Sequence, residues 1–192
     1  GAIWSSVDWP ETDLPYTQLS QQYRRADRMI GALPIGQIPG QTGRKAAIFW
    51  SLPTAGYDIW RRNGLAKWQD EATDLWPAFA PFVQQIKDPD QMTMARYSHG
   101  TLRHPYGDRI VHIGDAAHRA SPQLGQGANM ALLDALALTE ALDAAEGPSA
   151  LALYARYRRW HVAVYQIMSA VFTPQYQSDS RWLPLLRDRV LF

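Results

Sequence analysis

Residues 108–142 read DRIVHIGDAAHRASPQLGQGANMALLDALALTEAL, and the fold is read from the change of pattern inside that stretch. Ile110 to Ile113 is an apolar run of strand length, Gly114-Asp115 makes a corner, and the loop that follows carries one proline and two glycines before a long Ala/Leu-rich helix. A strand end that opens through a glycine loop into a helix presents backbone N–H groups and the positive end of the helix dipole. That end suits a phosphate, a carbonyl or an electron-rich ring. The stretch predicts a ligand site, and the rest of the chain is read as its support.

Working back toward the N-terminus, three runs rich in β-branched and aromatic residues are expected to be strands: AIWSSVDW from Ala2, RMIGALPIG from Arg28 and KAAIFWSL from Lys45. The turn at Pro39 to Gly43 leaves so short a link that the second and third must run antiparallel. Trp4, Trp9, Phe49 and Trp50 are expected to pack in the core of that sheet. Leu65 to Ile86 looks helical but is divided by Pro77 and Pro81, with Trp68, Ala72, Leu75 and Trp76 on its packed side. Met92 to Tyr97 is a further strand candidate.

Beyond the opening stretch, Gly147-Pro148 stops the helix and Ser149 is placed to cap another running to about Phe172, which Pro174 ends. Arg156, Arg158 and Arg159 are expected on its solvated face, the alternative being an anion site. A last short helix, opened by Asp179 or Ser180, carries Trp182, Leu185, Leu186 and Val190 as a packing stripe. The expected class is α+β, with an antiparallel sheet and inserted helices over 1–106. The GD-motif strand, loop and C-terminal helices follow over 107–192.

Composition narrows the function. Lys+Arg number 19 and Asp+Glu 18, a net charge of +1, so nothing electrostatic calls for nucleic acid or an anionic membrane as partner. There is no cysteine, which excludes disulfides, thiolate metal sites and a cysteine nucleophile, and a cytoplasmic location is expected. No apolar run approaches the roughly 18 residues of a membrane span. The chain opens on Gly1-Ala2-Ile3-Trp4 without Met and enters strand-like sequence at once, which is expected of a fragment.

Side-chain chemistry is sparse. Asp115 and His118 stand three residues apart, but no third metal ligand follows at a recognisable spacing, so no metal is expected and His118 is read as structural. There is no G-x-S-x-G elbow, no P-loop and no GxGxxG.

The run from Gly114 to Asp134, with Pro seven residues after the Asp, GQGxN at fixed offset and a following LxDAxxL helix, closely resembles the second flavin-binding motif of FAD-dependent aromatic-hydroxylase-type monooxygenases, the p-hydroxybenzoate hydroxylase class. The resemblance implies that FAD is the cofactor and that Gly114, Asp115, Pro122, Gly125, Gly127, Ala128 and Asn129 hold it. Asp115 would accept a hydrogen bond from a ribityl or ribose hydroxyl, and Gly114 would turn the backbone tightly. Pro122 would lie near the reactive edge of the isoalloxazine. Gly125 and Gly127 would permit close approach, and the helix start at Gly127, Ala128 and Asn129 would face the pyrimidine end. Arg119 and Gln123 fall at variable loop positions.

The resemblance further implies a mechanism in which NAD(P)H reduces FAD, O2 adds, and a flavin hydroperoxide hydroxylates an aromatic or similarly planar substrate. No side chain then acts as acid, base or nucleophile, and catalytic residues are expected to be none. Family members carry a GxGxxG segment and a DG motif before the sheet; with neither in this chain, FAD affinity is expected to be weak or absent, and self-association through uncovered apolar surface is expected. The other readings are a flavin reductase or dehydrogenase of the same fold, and a non-catalytic domain that binds a ligand or a subunit.

Overall fold

In the computed structural model, which describes residues 1–190 and the side chains of 1–189, the three runs rich in aromatic and β-branched residues form strands as expected. Strands β1 (Ala2–Asp8), β2 (Ser20–Arg24), β3 (Arg28–Gly36), β4 (Lys45–Ser51) and β5 (Thr93–Ala95) form one antiparallel sheet, in the order β2-β3-β4-β1-β5. The register sets Ile3 against Trp50, Gly31 against Phe49 and Ala2 against Ala95. Every second residue points to one face: Ile3 and Val7, Ile30 and Ala32, and Ala46, Ile48 and Trp50 are buried together. Helices α1 (Tyr57–Asn63), α2 (Leu65–Leu75) and α3 (Ala80–Val83) cover that face with Trp60, Trp68 and Phe82, joined by Phe79 from the turn before α3.

The expected aromatic core holds, divided between two faces. Trp50 meets Trp68 edge-on at 6.5 Å and Trp9 meets Phe82 edge-on at 5.3 Å, while Trp4 and Phe49 pair with each other at 4.7 Å. The prolines divide 65–86 as expected: α2 stops at Leu75, a 3-10 turn occupies Pro77–Phe79, and α3 follows. Two elements carry no alternating or amphipathic pattern strong enough to be anticipated. One is β2, a polar edge strand paired on one side only; the other is α1, about two turns long, with Asp58 in its first turn and Gly64 closing it at φ 84°.

The chain separates into two compact units, residues 1–96 with 175–192 and residues 97–174. This differs from a division at 106/107. Within the first unit Ser178 N–H donates to Ala26 O at 3.0 Å, and the Arg187 guanidinium donates to Arg25 O and to Gln175 O at 3.1 Å each. Those bonds return the C-terminal segment to the sheet unit.

The second unit contains β6 (Gly100–Thr101), α4 (Asp115–His118), α5 (Gly127–Ala144) and α6 (Gly147–Tyr176) up to Pro174. The α+β class with an antiparallel sheet stands, but three details are corrected. Ile110 to Ile113 makes no sheet strand: Val111 forms one isolated bridge with Tyr106, and Ile110 is 60% exposed. A strand is held by ladder partners, and the described residues bring only the segment around Tyr106 alongside it. Helix α6 does not end at Pro174 but runs through it to Tyr176.

The third correction concerns α7 (Leu183–Val190), in the first unit. Trp182 is 80% exposed and Leu185 and Leu186 are exposed as well, whereas Arg187 is buried over the rings of Tyr23 and Tyr176 at 5.3 and 5.1 Å. A guanidinium satisfied by two carbonyls, the Asp188 carboxylate at 2.7 Å and two ring faces displaces the aliphatic stripe as the buried contact. The side chain of Val190 lies outside the described residues. Ser180 does open this helix, its Oγ accepting from Leu183 N–H at 3.2 Å.

Candidate functional site

Gly114 turns the corner at φ 56°, ψ −139°, where a side chain is strained, and a Cβ there would stand 3.1 Å from the Cβ of Ala131 on α5. Close approach to α5 and left-handed backbone therefore both require glycine. Asp115 opens the single turn of α4 and is exposed. A 3-10 turn at Pro122–Leu124 follows, then Gly125 at φ 62° with no atom within 4 Å of where a Cβ would be. Helix α5 starts at Gly127, and its first ladder bond runs from Met130 N–H to Gln126 O at 2.9 Å. The N–H groups of Gly127, Ala128 and Asn129 thus precede the helix's own hydrogen-bond ladder and face outward at its positive end.

Asp115, Pro122, Gly125 and Gly127 line one cavity of about 280 Å³, walled also by Met130 and Tyr165. Gly114, Ala128 and Asn129 do not line it: Gly114 is buried behind the corner, and Asn129 Nδ2 donates to Gln126 Oε1 at 2.8 Å, fastening the loop to the helix start. Burial first, then the charge of Asp115, raises the Tyr165 phenol pKa, so it faces the cavity as a neutral hydroxyl.

What fixes the corner is a residue not singled out for a role in the sequence. Asp134, fully buried on α5, accepts from Gly114 N–H at 2.7 Å and from Arg158 Nε at 2.6 Å, and its Oδ2 lies 2.6 Å from His118 Nε2. Burial works against the charge of Asp134, but the hydrogen bonds from His118, Arg158 and Gly114 outweigh it and hold the carboxyl below its ordinary value. Arg158 also donates to Met130 O at 3.3 Å and meets His161 Nδ1 at 2.8 Å. The expectation of a solvated face is thereby corrected for Arg158, which is buried, while Arg156 and Arg159 are exposed. His118 stands in the ion-pair network, in keeping with a structural reading. The signal for this network was the Asp inside an otherwise apolar helix, a position that requires a buried partner. Tyr154, beside Asp134, has its phenol pushed up to about 12, by burial first.

The residues present fit a flavin: glycines that leave space at the cavity, an acceptor-only carboxylate at its rim, and helix-start donors beside it. Among the described residues no group of three or more His, Asp or Glu is placed to hold a metal, and no helix is long and apolar enough to cross a membrane.

The family model for the FAD binding domain matches residues 36–166, more than half of the chain. The chain belongs to this FAD-binding family. Within the family, the chain is 30% identical over 118 residues to 3-(3-hydroxy-phenyl)propionate/3-hydroxycinnamic acid hydroxylase 2 of Burkholderia vietnamiensis, a match covering 58% of this chain and 22% of that protein. It is 33% identical over 89 residues to 6-methylpretetramide 4-monooxygenase of Streptomyces rimosus, covering 46% and 21%. The crystal structure of Klebsiella pneumoniae HpxO, complexed with FAD and uric acid, superposes with a TM-score of 0.75 at 17% identity, over 99% of this chain and 48% of that one, and shows the shared fold. The FAD-binding-family chain thus spans about a fifth of the length of these two relatives and about half of that structure. Its membership of an FAD-binding family agrees with the FAD site implied by the GD loop.

Proposed function

We propose that this chain supplies the isoalloxazine-and-ribityl side of the FAD site in a monooxygenase that uses NAD(P)H and O2 to hydroxylate an aromatic or similarly planar substrate. The observation that carries the reading is the convergence of Asp115, Pro122, Gly125 and Gly127 on one cavity beside the start of α5. The chemistry supplied by bound FAD is hydride acceptance from NAD(P)H and activation of O2 for transfer of one oxygen atom to an electron-rich ring. Asp115 accepts a hydrogen bond from a sugar-chain hydroxyl, a task for an acceptor-only group. The N–H groups of Gly127, Ala128 and Asn129 donate to the pyrimidine end and favour negative charge there. Pro122 holds the loop rigid at the reacting edge, and Met130 and Tyr165 exclude water from the inner wall. No side chain here is assigned a proton transfer. A cytoplasmic location belongs to the same proposal, supported by the lack of cysteine.

Without GxGxxG in the chain, contacts to the pyrophosphate are missing and the remaining ones must offset the full cost of association. Titration with FAD, followed by flavin fluorescence, is expected to give a Kd weaker than about 1 µM; tighter binding overturns the half-site reading. When a GxGxxG-bearing FAD-binding segment is joined to the chain, NAD(P)H oxidation under labelled O2 is expected to put one labelled oxygen atom into an aromatic product. Oxidation without incorporation would instead establish a reductase.

A further inference from the structure

We propose that a second cavity of the 97–174 unit binds a small organic anion, a ring bearing a carboxylate or phosphate group. This cavity measures about 560 Å³, within the range of small-molecule sites. The segment 101–106 and one side of α6 form it. Leu102, Pro105, Tyr106, Tyr154 and Val162 give it apolar and aromatic walls, and Arg103, Arg156 and Arg159 give it charge. No Asp or Glu lines it.

The charges are unmatched. Arg158 also reaches the wall, but Asp134 neutralises it at 2.6 Å. Among the described residues no carboxylate pairs with Arg103, Arg156 or Arg159. Arg159 lies over the ring of Trp160 at 5.3 Å, which orients the guanidinium without cancelling its charge. Arg156 and Arg159 are three residues apart on α6 and so share a helix face. Three guanidinium groups around a concave apolar wall focus a positive potential, and their planar forks match the paired oxygens of a carboxylate or phosphate. An apolar ring against the tyrosines and Leu102 then supplies burial that an inorganic ion lacks.

The inference is independent of the FAD reading. Of the residues lining the Asp115 cavity, only His118 lines this one as well.

The test is titration of the 192-residue chain with 2-naphthoate, 2-naphthyl phosphate and the uncharged 2-naphthol, read by amide NMR shifts. At least one anion is expected to saturate below about 1 mM, with shifts at 101–106 and 154–163, and 2-naphthol is expected to bind at least about tenfold more weakly. Whichever anion binds more tightly identifies the preferred oxyanion. An Arg156→Gln/Arg159→Gln double variant is expected to weaken anion binding about tenfold or more with its circular dichroism and Tm unchanged. Arg103→Gln, on the other wall, repeats the test should the double variant fail to fold. Equal binding of 2-naphthol, no saturation by either anion, or anion binding indifferent to all three arginines would each overturn the proposal.

Discussion

Gly114 and Gly125 both have positive φ, yet they differ in what surrounds them. At Gly114 an alanine meets Ala131 at 3.1 Å as well as unfavourable backbone; at Gly125 it meets open space. Gly114→Ala is therefore expected to cost about 2–4 kcal/mol and Gly125→Ala about 1 kcal/mol, read from urea unfolding midpoints. Asp134 has the larger effect. Asp134→Asn places an amide against donors and leaves Arg158 with no carboxylate, an expected loss of about 3–5 kcal/mol near neutral pH. Because the Asp134 carboxyl titrates below its ordinary 3.8 when folded, its contribution is fully present above that value and is lost as pH falls through the folded one. The stability gap between wild type and variant is thus expected to close in acid; a gap constant from pH about 7 to 2 would contradict the assignment. The motif residues are legible in the sequence because their spacing is local. Asp134's partners lie 16, 20 and 24 residues away, and only the packing of α4, α5 and α6 brings them together.

At the scale of elements, the sheet is governed by its alternation and by one missing side chain. Gly31 sits opposite Phe49, whose ring occupies the space a Cβ would take, 2.4 Å from its Cζ and 3.0 Å from Ser20 O. Phe49 is buried and packs against Trp4 with ring centroids 4.7 Å apart. Gly31→Ala is expected to destabilise the protein by about 1–3 kcal/mol, despite the better strand propensity of alanine, and a Gly31→Ala/Phe49→Leu double variant is expected to recover part of that in thermal unfolding. Strands β1, β3 and β4 were readable because each is rich in β-branched and aromatic residues that the sheet buries. The edge strand β2 was not, since its polar residues pair with β3 and bury little. Ile110 to Ile113 reads as a strand by composition, but composition cannot show whether a neighbour is there to pair with it. Arg187 marks the opposite limit: no periodicity rule anticipates a buried cation held by backbone carbonyls and the adjacent Asp188.

For the whole molecule, apolar surface is the matter to settle. On α5 Leu132 and Leu136, and on α6 Trp160, Val164, Ile167 and Val171, are exposed at helical spacing. Stripes of this kind mark contact surfaces, and self-association is proposed as one use of them. Sedimentation of the chain is expected to show mass rising with concentration, and Trp160→Ser/Ile167→Ser is expected to suppress the rise. A monomer at all concentrations would exclude it.

The two units also differ in how they are assembled along the chain. Residues 97–174 form one unbroken run, whereas the sheet unit takes residues from both ends. Ala2 waits for Ala95, and Arg25 O waits for Arg187. A nascent chain emerges N-terminus first, and pairings this distant must bear the entropy of closing long loops. Strand β1 therefore precedes its partner β5 by some ninety residues, and its β5-side edge stays open to other strands until residues 93–95 have emerged.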